Sequence, residues 1–264
     1  EKKLPVTKAM PLATVLTLPA TGSEMNCGSV VSKDHEKLFF MSPAVFPQFS
    51  ILDPETTFSL PPKQTANGII DAFVHTMEQY LTYPVNAYVQ DYMAEGVLKT
   101  LIKEGPRALK EPRNYDVRAN IMWSATVGLN GWLSVGVPQD WTTHMIGHEI
   151  TGQYGLDHAQ TLAIILPSVM LARRKQKEAK LLQYAKEIWN IVDGSVENRI
   201  DQVIAKTRGF FESVGTKTHL SDYGIGKEAL PEILVLLKKH GRVALGEHQD
   251  IDLKISEEIL RASL

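Results

Sequence analysis

The hydrophobic pattern changes period near residue 60. Ahead of it, the β-branched and apolar run Thr14–Leu18 predicts a strand that ends in the turn chemistry of Pro19-Ala20-Thr21-Gly22-Ser23-Glu24. Phe49–Leu52 predicts a second strand, stopped at Asp53-Pro54, so the first 60 residues read as a small β-containing piece. Beyond Pro61-Pro62 the period becomes helical. Ala66, Ile69, Ile70, Phe73, Val74, Met77 and Tyr80 lie almost all round the first helix, the pattern of a helix buried in a bundle. Further helices are expected over 85–104, 115–133, 141–153, 159–175, 178–192, 200–214, 227–239 and 256–262, which makes the body all-helical.

Composition narrows the function classes. The chain has 264 residues, 44% of them hydrophobic and 22% charged, and a formal net charge of −2, so it lacks the basic surplus that binding to nucleic acid would need. Cys27 is the single cysteine; it rules out an internal disulfide framework and a thiolate metal site, and fits a reducing compartment. No apolar run is long enough for a membrane span and the first residues lack the apolar core of a secretion signal, so a cytoplasmic location is expected. The sequence opens without methionine, in what reads as a linker into a strand, and a fragment of a longer protein is the expectation.

Within the apolar helical body, Asp71 and His75 stand four residues apart and share a helix face. An ionised carboxylate on such a helix carries a desolvation penalty of several kcal/mol unless a cation or hydrogen-bond donors offset it. The plain alternative is a buried Asp–His pair without a metal. His144 and His148 form a second pair at the same spacing, on a helix that Asp140 is placed to cap, and His158 follows where a loop turns into the next helix. Two ligand sets fit the spacing: Asp71, His75, His144 and His148, or the same set with His158 in place of His148, which leaves His148 for chemistry. The zinc-protease pattern is excluded, since the position that needs its second histidine is Gly152. His35, His219, His240 and His248 lie in polar surroundings and are assigned no role.

Two long stretches carry a resemblance. Ile51-Leu52-Asp53, Leu60-Pro61-Pro62 and the run Ala66 to Glu78 resemble the first signature of the iron-containing (group III) alcohol dehydrogenases; Trp141 to Gly152, followed by Leu156-Asp157-His158-Ala159, resembles the second. Residues 19–24 and Val137-Pro138-Gln139-Asp140-Trp141 resemble the NADP-dependent butanol dehydrogenase and broad aldehyde reductase branch. The resemblance implies that Asp71, His75, His144 and His158 bind a divalent metal, with Fe2+ expected and Zn2+ the alternative, and that His148 lies beside the nicotinamide and the reacting carbon. It implies that Thr17, Thr21 and Lys37 line the cofactor, NADP(H) in preference to NAD(H).

The implied fold is α+β: residues 1–57 as the remnant of an α/β dinucleotide-binding domain, and 58–264 as an all-helical metal-binding catalytic domain, in a dehydroquinate-synthase-like arrangement. The family's glycine-rich turn followed by serine does not occur in this sequence. The implied activity interconverts small primary alcohols and aldehydes, in a homodimer, with Phe73, Trp141 and Ile146 as expected walls of an apolar substrate pocket. The competing readings are a polyol dehydrogenase or dehydroquinate-synthase-like lyase of the same superfamily, and a metal-stabilised helical domain without catalysis.

Overall fold

Helix α1 (Pro62–Tyr80) is the axis of the body, and the computed structural model describes it within residues 5–33 and 36–264. Proline suits its first turn, where a missing N–H leaves no helical bond unmade. From Thr65 onward every side chain but that of Asn67 is buried. The all-round apolar pattern is thereby explained: α1 packs against α2 (Tyr88–Lys110), α3 (Tyr115–Leu129) and α5 (His158–Ala172) at once. Outside these lie α4 (Thr142–Tyr154), α6 (Glu178–Trp189), α7 (Val196–Ser213), α8 (Leu230–Lys239) and α9 (Leu253–Ala262).

Two apolar cores share α5. Leu162, Ala163 and Leu166 face the core built with α1, α2, α3, α6 and α7, while Ile164, Ile165 and Val169 face a second built with α4, α8 and α9. A helix wedged between two cores is apolar on all sides, as α5 is.

The element boundaries differ from expectation where tertiary contacts outweigh local signals. α2 runs six residues past Glu104, through Gly105-Pro106. Proline inside a helix costs about 3 kcal/mol. Here Gly105 lies close against Ile69 and Phe210, Ala108 is buried, and Arg107 pairs with Glu104 at 2.8 Å and Glu111 at 3.2 Å. α6 stops at Trp189 because Asn190 turns left-handed (φ 56°) and its N–H returns to the Ala185 and Lys186 carbonyls.

The β segments are slight. β1 (Ala13–Val15) pairs in parallel with β4 (Phe49–Ile51), Ala13 opposite Phe49 and Val15 opposite Ile51. β1 is shorter than the expected Thr14–Leu18. Pairing ends at the Leu16 N–H, and the Leu16 carbonyl accepts instead from the Thr56 hydroxyl (2.6 Å), releasing Thr17 and Leu18 into a loop. The antiparallel pair β2 (Gly28–Lys33) and β3 (Glu36–Met41) was not among the expected strands. Adjacent Val30 and Val31 are both exposed, so these described residues set no period of two.

Candidate metal centre

α1, α4 and the first turn of α5 meet at one buried point. Asp71 and His75 come from successive turns of α1, and His144 and His148 from successive turns of α4. His158 opens α5, whose start is fixed by Asp157: the Gln160 side chain accepts from the Asp157 N–H (2.9 Å), and Asn67 and Lys63 of α1 each reach the Asp157 carboxylate at 2.8 Å. α4 lies close to α5 because Gly147 has no side chain; a Cβ there would stand 3.0 Å from the Thr161 hydroxyl.

Around Asp71 Oδ1 stand three imidazole nitrogens: His75 Nε2 at 3.7 Å, His144 Nε2 at 3.8 Å and His158 Nε2 at 3.7 Å. These separations are too long for hydrogen bonds. Metal–ligand bonds of about 2.0–2.2 Å set tetrahedral ligand–ligand edges of about 3.3–3.6 Å. The three distances from Asp71 come near them, although His75 lies outside the group whose ligand atoms all stand within 4.8 Å of one another. Asp71 Oδ1 and His144 Nε2 are buried and have no hydrogen-bond partner among the described residues, which a plain Asp–His pair does not explain. One carboxylate oxygen with imidazole nitrogens suits a first-row divalent cation, so the residues present fit the group. Asp71, His144 and His158 bring their ligand atoms within 4.8 Å of one another. His148 stands on the same wall, its ring 4.9 Å from that of His158 and 6.0 Å from that of His144.

The charge state follows from the surroundings. Burial opposes ionisation of Asp71, but the three imidazoles outweigh it and hold the carboxyl below its ordinary range. Burial pulls His75 down to about 4, against the attraction of Asp71. His144 is pushed up to about 9, because Glu78 and Asp71 together outweigh the effect of its burial.

The loop after β1 lies against this centre. Pro19 places its carbonyl oxygen 2.2 Å from where a Cβ of Gly68 would stand, so only glycine admits the loop to α1. The next carbonyl, that of Ala20, acts on His75. The loop is tied to α3 through Thr126, whose hydroxyl donates to Glu24 Oε1 (2.5 Å), and through Asn26, whose amide donates to the Leu129 carbonyl (3.1 Å).

Comparison with known proteins bears on this arrangement. The pattern of the Fe-containing alcohol dehydrogenase family, C-terminal, matches residues 65–263, and that of iron-containing alcohol dehydrogenase matches residues 1–54. The chain belongs to the iron-containing alcohol dehydrogenase family. It is 56% identical over 260 residues to the NADPH-dependent aldehyde reductase YqhD of Escherichia coli, covering 98% of this chain and 67% of that protein. It is 36% identical to NADH-dependent butanol dehydrogenase A of Clostridium acetobutylicum, covering 98% and 67%. The crystal structure of E. coli YqhD superposes with a TM-score of 0.96, covering 97% of this chain and 66% of that one. That of NADH-dependent butanol dehydrogenase A from Thermotoga maritima superposes at 0.92 with 32% identity, covering 99% and 68%. The chain spans about two thirds of the length of these relatives.

In this iron-containing alcohol dehydrogenase chain, Asp71, His75, His144 and His158 converge, and His148 adjoins them. Thr17 and Thr21 are exposed on the loop that covers His75. Lys37 lies in β3, but its side chain falls outside the described residues, as does His35. Two expected pocket walls are corrected. Phe73 is sealed in the first core, its ring 5.0 Å from Phe210 and 5.4 Å from Phe211, and Ile146 is sealed in the second; both point away from the cluster because the opposite faces of α1 and α4 carry Asp71, His75, His144 and His148. Trp141 does flank the site, 5.4 Å from the His144 ring and 6.2 Å from that of His75. His240 is also more than a surface residue: its Nδ1 lies 2.8 Å from the buried carboxylate of Glu149.

Sequence reasoning gave no role to Glu78, which touches His144, nor to the buried Lys177. Lys177 Nζ lies 2.9 Å from Asp140, 2.7 Å from Glu247 and 2.7 Å from the Leu81 carbonyl. Asp140 in turn accepts from the Thr142 N–H (2.8 Å), holding the start of α4. A helical-wheel signal for Glu78 exists: it lies three residues after His75 and seven after Asp71, on the ligand face.

Proposed function

We propose that the polypeptide carrying this sequence interconverts small primary alcohols and aldehydes with a nicotinamide cofactor, at a divalent metal held by Asp71, His75, His144 and His158. The observation that carries this is the three Nε2 atoms around the buried Asp71 Oδ1, which has no hydrogen-bond partner among the described residues. When bound, the cation acts as a Lewis acid toward the substrate oxygen, and the nicotinamide donates or accepts the hydride. Fe2+ is the metal the family name favours, and Zn2+ suits the same donors.

The chain's residues hold and orient. Asp71 supplies the negative charge and the histidines neutral nitrogen, from elements fixed by packing. Trp141 closes one side of the centre with an apolar surface. His148, one helical turn beyond His144, holds or moves the proton of the substrate oxygen. Thr17 and Thr21 offer exposed hydroxyls to the cofactor from the loop beside His75, and Lys37 is the third cofactor residue that the family resemblance implies. NADP(H) is preferred, in keeping with the 56% identity to an NADPH-dependent relative. Residues 1–57 belong to the cofactor-binding domain and 58–264 to the metal domain, a division supported by the change from strands to helices. The protein works as a cytoplasmic homodimer; among the described residues no helix is long and apolar enough to cross a membrane.

The test uses the full polypeptide, purified without air and assayed with butanal and NADPH or NADH. Chelation abolishes cofactor consumption, Fe2+ or Zn2+ restores it, and NADPH is consumed faster than NADH. Turnover that survives complete metal removal overturns the proposal.

A further inference from the structure

Glu78 is buried and is not a member of the ligand cluster, yet it makes three contacts with the segment that carries His144. Its Oε1 accepts from the backbone N–H of His144 (3.2 Å), its Oε2 meets His144 Nδ1, and its own carbonyl accepts from the Asp140 N–H (2.8 Å). The other ring nitrogen of His144, Nε2, is the one turned to Asp71, and among the described residues it has no hydrogen-bond partner. An imidazole can offer a lone pair at one nitrogen only if its proton sits on the other, and the partner of that second nitrogen decides which.

We propose that Glu78 is a positioning residue for the metal centre: it holds the proton of His144 on Nδ1, fixes the ring's direction, and so keeps the Nε2 lone pair aimed at the cation. The inference rests on the reading of Asp71, His75, His144 and His158 as metal ligands. A carboxylate is the group that does this, because both of its oxygens accept. One takes the backbone N–H and the other the ring N–H, so a single side chain on α1 sets both the height of α4 and the tautomer of its ligand. A glutamine of the same shape satisfies one of these donors and not both. With its oxygen on the His144 N–H, its amide points an N–H at Nδ1, and the ring proton is driven onto Nε2, where it blocks the lone pair.

The experiment compares wild type, Glu78→Gln and Glu95→Gln in the full polypeptide. Glu95 is an equally buried carboxylate that accepts from Tyr80 and Gln183, away from the centre. Zn2+ affinity is measured by competition with a chromophoric chelator, and folding by melting of the metal-free proteins. Glu78→Gln is expected to weaken Zn2+ binding by about 10- to 100-fold, while Glu95→Gln leaves it within about twofold. Equal affinity of wild type and Glu78→Gln overturns the inference alone. Absence of stoichiometric Zn2+ binding by wild type overturns the metal reading beneath it. Should Glu78→Gln not fold, nitrogen-15 spectra of the Zn2+-loaded wild type decide: a protonated Nδ1 on His144 supports the assignment, and an unprotonated Nδ1 overturns it.

Discussion

Ile69, Ile70, Phe73 and Met77 on α1 are sealed from solvent, whereas Val15, Phe49 and Ile51 on the β1–β4 pair expose 56%, 62% and 49% of their surface. Both regions carry apolar side chains, but α1 seals its own, while these three on the β1–β4 pair stay exposed in a chain that spans about two thirds of its relatives' length. The helices close two cores on themselves, and the metal-ligand candidates sit where those cores meet. The β segments contribute little burial of their own. They are held to the helical body by particular contacts: Pro19 on Gly68, Thr126 on Glu24 and Asn26 on the Leu129 carbonyl. The difference separates two jobs. The helices set the convergence of Asp71, His144 and His158, while the loop after β1, which carries the exposed Thr17 and Thr21, lies against His75 through Ala20.

The sharpest way to break this comparison is to remove something from the helical side. Lys177→Met leaves Asp140 and Glu247 buried with no cation between them, and loss of one partner of a buried pair costs about 3–5 kcal/mol. Urea unfolding is expected to show it, and a change below about 1 kcal/mol would mean that the start of α4 is held by something else. Phe73→Ala removes a ring packed on Phe210 and Phe211 and is expected to destabilise by a similar amount, about 3–5 kcal/mol.

The junction between the regions should respond less. Gly68→Ala forces a methyl against the Pro19 carbonyl, and overpacking of this kind costs about 1–3 kcal/mol. The loss should be accompanied by faster proteolysis within residues 17–26, since the loop must lift while α1 stays. Equal protection of that loop in both proteins would contradict the docking described. At the far end of the scale, Ile51→Ser alters a side chain that the chain itself half exposes, and the expected change is within about 0.5 kcal/mol.

Acid and alkali offer another way to sharpen the contrast. In the metal-free protein His75 has a pKa near 4, depressed by burial from the ordinary 6.5; its stability contribution is complete above pH 6.5 and is lost as pH falls through 4. His144 has a pKa near 9, raised from 6.5 by Glu78 and Asp71 against its burial; its contribution is complete below 6.5 and is lost as pH rises through 9. Melting temperature should therefore fall on the acid side as His75 takes up a proton and on the alkaline side as His144 loses one; Glu78, its carboxyl raised by burial, adds to the fall with rising pH. His144→Ala should flatten the alkaline limb, and a limb left unchanged would show that another group titrates there.

Much of the helical body was legible because burial imposes a period. α1 announced itself as apolar almost all round, and Asp71 stood out as an acidic group in the middle of it. The convergence of α1, α4 and α5 was carried by motif, since spacing left His148 and His158 interchangeable. Their difference depends on where α5 begins, a matter settled by Asp157 and its bonds to Lys63, Asn67 and Gln160. Glu78 and Lys177 were harder to see because their partners are 66 and 37 or more residues away, and a buried ionic contact at long range leaves no periodic trace. The β2–β3 pair was missed for the opposite reason: adjacent Val30 and Val31 both lie exposed and give no period of two.

The central claim is that one cation joins α1, α4 and α5. Its most direct test is a crystal of the polypeptide loaded with Fe2+ or Zn2+, with anomalous diffraction recorded on each side of the metal's absorption edge. The account predicts one strong peak at about 2.0–2.2 Å from Asp71 Oδ1 and from the Nε2 atoms of His75, His144 and His158. A stoichiometrically loaded protein whose peak lies elsewhere, or no peak between these four side chains, would contradict it.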